Sequence, residues 1–342
     1  MSECEGDLGA WRNQSLDSPI YLPVGIPVSF QVLIDTSSPQ VAEALSRQVL
    51  PHPQESQVQD DESFDPLGEA RYLVTPRLVH QYPSRVLLLS TGQCLGYCRY
   101  CFRRGFIARS TGFISPQEQK DVCSWLSTHP EVREILVSGG DPLSAGINEL
   151  ERLLNGIHQV RPDILIRFCT RGVIYAPERF TRELLLLLRS VRPLWVIPHI
   201  NHPGELGPQQ RQCIEKILDS GISLQSQTVL LNGINDSAGI LVDLFQTLAS
   251  LGVKPGYLFQ CDLAPGISAF RVPLSRSLPL WREVRRQLSG LSLPEFAVDL
   301  PGGGGKFPLS AVAIQSQIAS VSPPAPLRVE GLDGKVYTYP YD

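Results

Sequence analysis

The run Cys94-Leu95-Gly96-Tyr97-Cys98-Arg99-Tyr100-Cys101 follows directly on the apolar stretch Arg85 to Thr91. One loop at the end of a strand-like segment therefore supplies three thiolates at C-x3-C-x2-C spacing. Three are one too few to close a four-iron cluster, and the iron left open can bind a small molecule and react there. A structural zinc site asks for four ligands in paired C-x2-C or Cys/His sets, and no matching pair lies nearby. Eight cysteines in 342 residues are too sparse for a disulfide framework, and no export signal precedes them.

Outward from this loop the chain reads as alternating strand and helix. Val86 to Ser90, Glu134 to Val137, Ile164 to Cys169, Trp195 to His199, Ile222 to Gln227 and Tyr257 to Cys261 are short apolar runs suited to buried parallel strands. Helical signals separate them: a capping box with an early proline at Ser115-Pro116-Gln117-Glu118, helical spacing over Glu149 to Val160, and a leucine-rich face over Pro177 to Val191. Six such units predict an α/β fold, an incomplete (βα)6 barrel with N- and C-terminal extensions. In βα barrels chemistry sits at the carboxyl ends of the strands, so the residues just after each strand are the candidates.

The second strand end carries Ser138-Gly139-Gly140-Asp141-Pro142. Glycines there permit close backbone approach to a ligand, and the acid can receive an ammonium group; taken alone, the segment also reads as a plain strand-to-helix turn. His199 and His202 mark the fourth strand end and Gln227 the fifth, although a lone strand-end histidine is more often a packed, hydrogen-bonded residue. A second strong signal is Asp299-Leu300-Pro301-Gly302-Gly303-Gly304-Gly305-Lys306. Four consecutive glycines free the backbone to aim N–H groups into an anion nest, and the lysine beside it is the amine that pyridoxal phosphate (PLP) needs. Phe307-Pro308 replaces the hydroxyl residue of a nucleotide P-loop, and a flexible loop with a solvated lysine is the plainer alternative.

A net charge of −4 gives no electrostatic footprint for nucleic acid, and no apolar run approaches the roughly 18 residues of a membrane span. A cytoplasmic enzyme is expected, since cluster thiolates suit a reducing compartment. Residues 1–79 read as an N-terminal arm and accessory segment, 80–291 as the barrel, and 292–342 as a C-terminal segment with the lysine and a β-hairpin.

Together these motifs resemble the lysine 2,3-aminomutases, radical S-adenosylmethionine (SAM) enzymes that also bind PLP. The likeness runs from Tyr82 to Tyr339 through Tyr82-Pro83-Ser84-Arg85, the cysteine loop, Cys101-Phe102-Arg103-Arg104, Val137 to Leu143, His199 to Pro203, Gln227 to Leu231, Cys261-Asp262-Leu263, Asp299 to Lys306 and Lys335 to Tyr339. The resemblance implies a [4Fe-4S] cluster on Cys94, Cys98 and Cys101, and PLP held covalently by Lys306 with Arg85, Tyr82 and the glycines Gly302, Gly303, Gly304 and Gly305. It places Gly139, Gly140, Asp141, His199 and Gln227 around SAM. Arg103 would take the substrate carboxylate, and Asp262 and Asp299 its distal ammonium.

The implied activity moves the α-amino group of L-lysine to Cβ, giving β-lysine by way of a 5′-deoxyadenosyl radical. Charge logic agrees, since one cation and two acids select a long amino acid with a basic tail; arginine also fits and glutamate meets repulsion. An electron donor such as flavodoxin or ferredoxin is implied as a partner. Gln81 stands where catabolic aminomutases commonly have arginine. No cysteine follows Cys261, so the zinc-binding tail of the longer enzymes is not carried over and a homo-oligomer is left open. The triplet and short C-terminus also resemble the branch that supplies β-lysine for modifying elongation factor P. Two other classes, a non-enzymatic electron carrier and a SAM enzyme of different outcome, leave Lys306 and the acid pair unexplained.

Overall fold

A computed structural model describes residues 22–107, 112–310 and 326–342. Its strands are β1 (Leu73–Thr75), β2 (Leu78–Tyr82), β3 (Arg85–Thr91), β4 (Glu134–Gly139), β5 (Leu165–Thr170), β6 (Leu194–Pro198), β7 (Ser223–Leu230), β8 (Lys254–Gln260), β9 (Glu295–Leu300), β10 (Gly305–Pro308), β11 (Leu327–Glu330) and β12 (Val336–Tyr339). β1 to β10 form one sheet in sequence order. Neighbours from β3 to β9 pair in parallel, and antiparallel pairs close both flanks. Among the described residues β1 and β10 do not meet, so the barrel is incomplete, as the sequence predicts.

Each of the six anticipated strands is present, and each is followed by a helix before the next parallel strand begins. A seventh parallel strand, β9, extends the predicted set, and its antiparallel partner β10 carries Lys306. The capping box forms as read: the Ser115 hydroxyl accepts from the Glu118 N–H, and the Glu118 carboxylate accepts from the Ser115 N–H at 2.8 Å. The leucine-rich stretch is shorter than its pattern suggests. Pro177–Arg179 forms one tight turn, and Thr181 then caps the helix Arg182–Ser190, because its hydroxyl satisfies the Leu184 N–H.

Strand periodicity decides what faces the middle. Ile135, Val137, Ile166, Phe168, Thr228 and Leu230 are buried on one side. Their alternates Leu136, Ser138, Arg167, Cys169, Gln227 and Val229 line a central cavity. Beyond the sheet, β11 and β12 form the anticipated terminal hairpin, anchored where the Tyr339 hydroxyl donates to the Cys261 carbonyl at 3.1 Å. Residues 1–21 and 311–325 of the two terminal ranges lie outside the described residues. No helix among the described residues is long and apolar enough to cross a membrane.

Candidate active site

The strand ends open on a cavity of about 330 Å³, within the size range of small-molecule sites. Its wall includes Cys94, Cys98, Cys101, Tyr82, Arg85, Arg103, Gly139, Gly140, Asp141, His199, Gln227, Asp262, Asp299 and Lys306. Residues far apart in sequence, from Tyr82 to Lys306, thus converge on one space. Gly302 to Gly305 are absent from that wall.

The cysteine loop is seated by main-chain contact. A Cβ on Gly140 would lie 2.1 Å from the Gln93 carbonyl oxygen, and one on Gly139, whose φ is +108°, would lie 2.6 Å from that of Thr91. These glycines let β4 approach the loop itself. Asp141 then locks the turn: its carboxylate accepts from the Leu143 N–H at 2.9 Å, the Thr170 hydroxyl at 2.7 Å and the Arg171 N–H at 2.8 Å. Burial nonetheless raises its pKa. His199 sits 3.0 Å from the Asn201 side-chain oxygen and 3.3 Å from the Tyr100 hydroxyl. Burial, reinforced by the Arg171 charge, lowers its pKa to about 3, so the ring is neutral at physiological pH.

Of the three sulfurs, Cys98 Sγ meets the Arg171 guanidinium at 3.4 Å and the Tyr175 hydroxyl at 3.3 Å, while the Asp141 N–H near Cys94 is donated to the Gln93 carbonyl at 2.8 Å. Burial pushes the Cys94 thiol well up and the Cys101 thiol to about 12, so these two stay protonated until a cation arrives. No three cysteine, histidine or carboxylate groups among the described residues converge on one point as a single metal ion requires. A cluster spreads its ligands over separate irons, and three thiols lining one cavity suit that geometry.

At the other end, antiparallel pairing sets Asp299 directly opposite Lys306. The Lys306 ammonium donates to both Asp299 oxygens at 2.9 Å and lies 3.9 Å from the Phe259 ring centre. The Tyr82 hydroxyl accepts from the Lys306 N–H at 2.9 Å, and the Arg85 guanidinium stacks 3.7 Å over the Tyr82 ring. Arg85 ion-pairs with no carboxylate among the described residues, so a cation is left to face the cavity. An amine, an uncommitted cation and aromatic faces are a donor set suited to PLP. The glycine run packs behind them against the protein's own side chains. A Cβ on Gly303 would meet Arg71 at 2.5 Å, one on Gly304 the Tyr337 ring at 2.8 Å, and one on Gly305 Leu332 at 2.4 Å. The Gly302 N–H is spent on the Pro66 carbonyl, and Gln81 donates to the Gly303 carbonyl at 3.2 Å.

Between the two ends lies Arg103, ion-paired to the buried Glu69 and with its Nη1 buried without a partner. Asp262 is half-buried near Asp299, and desolvation first and that charge second raise its pKa to about 8. His202, the other strand-end histidine, instead caps a turn through Nδ1, which accepts from the Gly204 N–H. Sequence reasoning missed Glu69, Arg171 and Tyr175. Glu69 gives no signal, opening a single 3-10 turn, Glu69–Tyr72, just before β1. Arg171 does, because the strand-end rule applies to Thr170-Arg171 as it does to the other turns.

Residues 84–185, which include the cysteine loop, match the 4Fe-4S single cluster domain family. A putative L-lysine 2,3-aminomutase from Treponema pallidum is 54% identical over 88% of this chain and 84% of its own length. The L-lysine 2,3-aminomutase of Fusobacterium nucleatum is 36% identical over 90% of this chain and 71% of its own. The chain belongs to the lysine 2,3-aminomutase family. These aminomutases are isomerases, and the chain is an enzyme of that class. A solved structure of polyhistidine-tagged anSMEcpe with bound AdoMet aligns over 59% of the chain and 58% of its own length at 14% identity, with a TM-score of 0.47. Within the lysine 2,3-aminomutase family the match spans the cysteine triplet and the glycine–lysine hairpin together.

Proposed function

We propose that this protein is a radical SAM, PLP-dependent aminomutase that moves the α-amino group of L-lysine to Cβ. The observation that carries the reading is that the three thiols and the Lys306 amine line one cavity. A reduced cluster with SAM supplies the radical that removes hydrogen from an unactivated carbon, and PLP supplies the π-system through which nitrogen migrates. Cys94, Cys98 and Cys101 hold the cluster, and Lys306 Nζ binds PLP, with Arg85 and Tyr82 beside it. Gly139, Gly140, Asp141, His199 and Gln227 shape the SAM side. In this division residues 80–291 carry the radical half of the site together with Tyr82 and Arg85 of the PLP side, and 292–342 carry Lys306 and Asp299.

The remaining residues choose and hold the substrate. Arg103 offers its unpartnered Nη1 to the carboxylate, and Asp262 and Asp299 take the distal ammonium. Neutral His199 cannot protonate the substrate amine, which favours a positioning role. Barrel walls keep water and oxygen from the radicals, so orientation and exclusion are the protein's part of the chemistry. Anaerobic reconstitution with iron, sulfide, PLP and SAM, followed by product analysis from lysine, arginine, ornithine and glutamate, tests the reading. β-Lysine as the main product is expected; a β-amino acid from glutamate in preference to lysine would overturn the substrate assignment.

A further inference from the structure

The three thiols are not equivalently supported. Among the described residues, Cys98 alone of the three has side-chain hydrogen-bond partners on its sulfur, a guanidinium and a phenol. Both come from the turn after β5, where Arg171 and Tyr175 stand one helical turn apart at either end of the short helix Gly172–Tyr175. Arg171 is only 6% exposed, and every feature around it fixes its direction. Nη2 donates to Gln48 Oε1 at 2.9 Å and Glu205 Oε1 at 3.1 Å, while Gln48 in turn donates to Glu205 at 2.8 Å. The guanidinium lies 4.5 Å from the Tyr175 ring centre and 5.6 Å from those of Phe30 and Tyr100. Nη1 is left to point at sulfur.

A counter-ion role for Glu205 does not account for this arrangement. Glu205 is completely buried and takes the opposite edge of the guanidinium, so the pair forms a fixed dipole with its positive end on Cys98. Burying such a pair costs desolvation that a hydrophobic pair would not. Adding one electron to a cluster adds one negative charge shared with its thiolates. A fixed cation beside one of those sulfurs, in a medium of low polarity, stabilises the reduced form over the oxidised one. Hydrogen bonds to ligand sulfur act in the same direction, as do other outer contacts that tune metal sites.

We propose that Arg171, assisted by Tyr175, raises the reduction potential of the cluster through its contact with Cys98 Sγ. Arg171 is thus a positioning residue for charge, not one that touches substrate. The proposal rests on the reading that Cys98 is a cluster ligand, and the two fail separately. If Cys98→Ala retains full iron and sulfide, the ligand reading is wrong, whatever Arg171 does.

The test is a potentiometric titration of the anaerobically reconstituted protein, without SAM or substrate, followed by electron paramagnetic resonance. Iron content is measured alongside. Arg171→Gln should lower the reduced-to-oxidised ratio at least tenfold at a given potential, a downward shift of about 59 mV for a one-electron couple. Arg171→Lys, which keeps the charge, should recover at least half of that shift. Tyr175→Phe should shift the potential in the same direction by less. A fully loaded Arg171→Gln titrating at the wild-type potential overturns the proposal, as does an Arg171→Lys shift equal to that of Arg171→Gln. If Arg171→Gln takes up no cluster, Tyr175→Phe decides, and an unmoved potential there overturns it.

Discussion

The two ends of the cavity are built on opposite principles. At the cysteine end, main chain touches main chain: Gly139 and Gly140 admit the carbonyls of Thr91 and Gln93, and the Cys94 and Cys101 thiols wait protonated for a cation to complete them. At the lysine end the charges are already matched, with Asp299 opposite Lys306 across a hairpin. The first end is geometrically complete and electrostatically open; the second holds a ready-made ion pair that must separate before its amine reacts. Loss of a single atom group should therefore be catastrophic at the first end and selective at the second.

The largest effects are expected at the cysteine end. Replacing Cys94, Cys98 or Cys101 by alanine should abolish reductive SAM cleavage while leaving the fold intact, because the side chains face a cavity and not a packed core. Full 5′-deoxyadenosine yield from any of the three variants would break the comparison. Gly140→Ala should come close to the same outcome by another route. Its Cβ would overlap the Gln93 carbonyl, backbone that cannot step aside, so iron uptake after reconstitution should fall several-fold. Gly302→Ala is the control: no atom lies within 4 Å of its Cβ, and only its φ of +65° opposes the change, at about 1–2 kcal/mol. Equal iron content in both glycine variants would show that close approach does not hold the loop.

Lys306→Ala should be the selective counterpart. The variant should keep its iron and bind SAM, yet lose the PLP absorbance that borohydride fixes covalently in the parent, along with amino migration. Because Asp299 then loses its ion-pair partner, its carboxylate is left half-buried beside Asp262, and a loss of about 1–3 kcal/mol in stability should accompany the chemical defect. Borohydride labelling of a different lysine in the parent would sink the assignment.

How much of this could be read in advance follows the same division. The cysteine loop, the six parallel strands β3 to β8 and the capping box were legible because each is a local pattern: a ligand spacing, an apolar run, a cap. The glycines were legible as necessary but not in their purpose. Sequence suggested backbone opened toward a ligand; what it did not suggest is that Gly140 also admits the cysteine loop and that Gly304 admits Tyr337 of the terminal hairpin. Such contacts join residues tens of positions apart and leave no periodic trace. Glu69 was illegible for the same reason, since its meaning comes from Arg103, 34 residues away.

The most gradual expected effect lies in the acid pair and concerns pH. Asp262 carries a proton in the folded, cofactor-free protein up to about pH 8, whereas its unfolded counterpart releases it near pH 4. Between those values the folded state binds the extra proton, so the stability it contributes is complete below about pH 4 and is lost as pH rises through 8. Asp262→Asn has nothing to ionise in either state. Its advantage over the parent should be absent at pH 4, grow by at most about 1.4 kcal/mol per pH unit, and level off above pH 8. Thermal unfolding of the cofactor-free proteins across pH 4–9 measures it. A flat difference would mean that Asp262 ionises normally and that the lysine end is as open to cations as the cysteine end. With PLP and lysine bound, a second ammonium arrives, and the same substitution should instead weaken lysine binding, by about 2–5 kcal/mol if the contact is desolvated. A single residue that hinders the empty protein as pH rises above about 4 and serves the loaded one is what a crowded acid pair awaiting a second ammonium should produce.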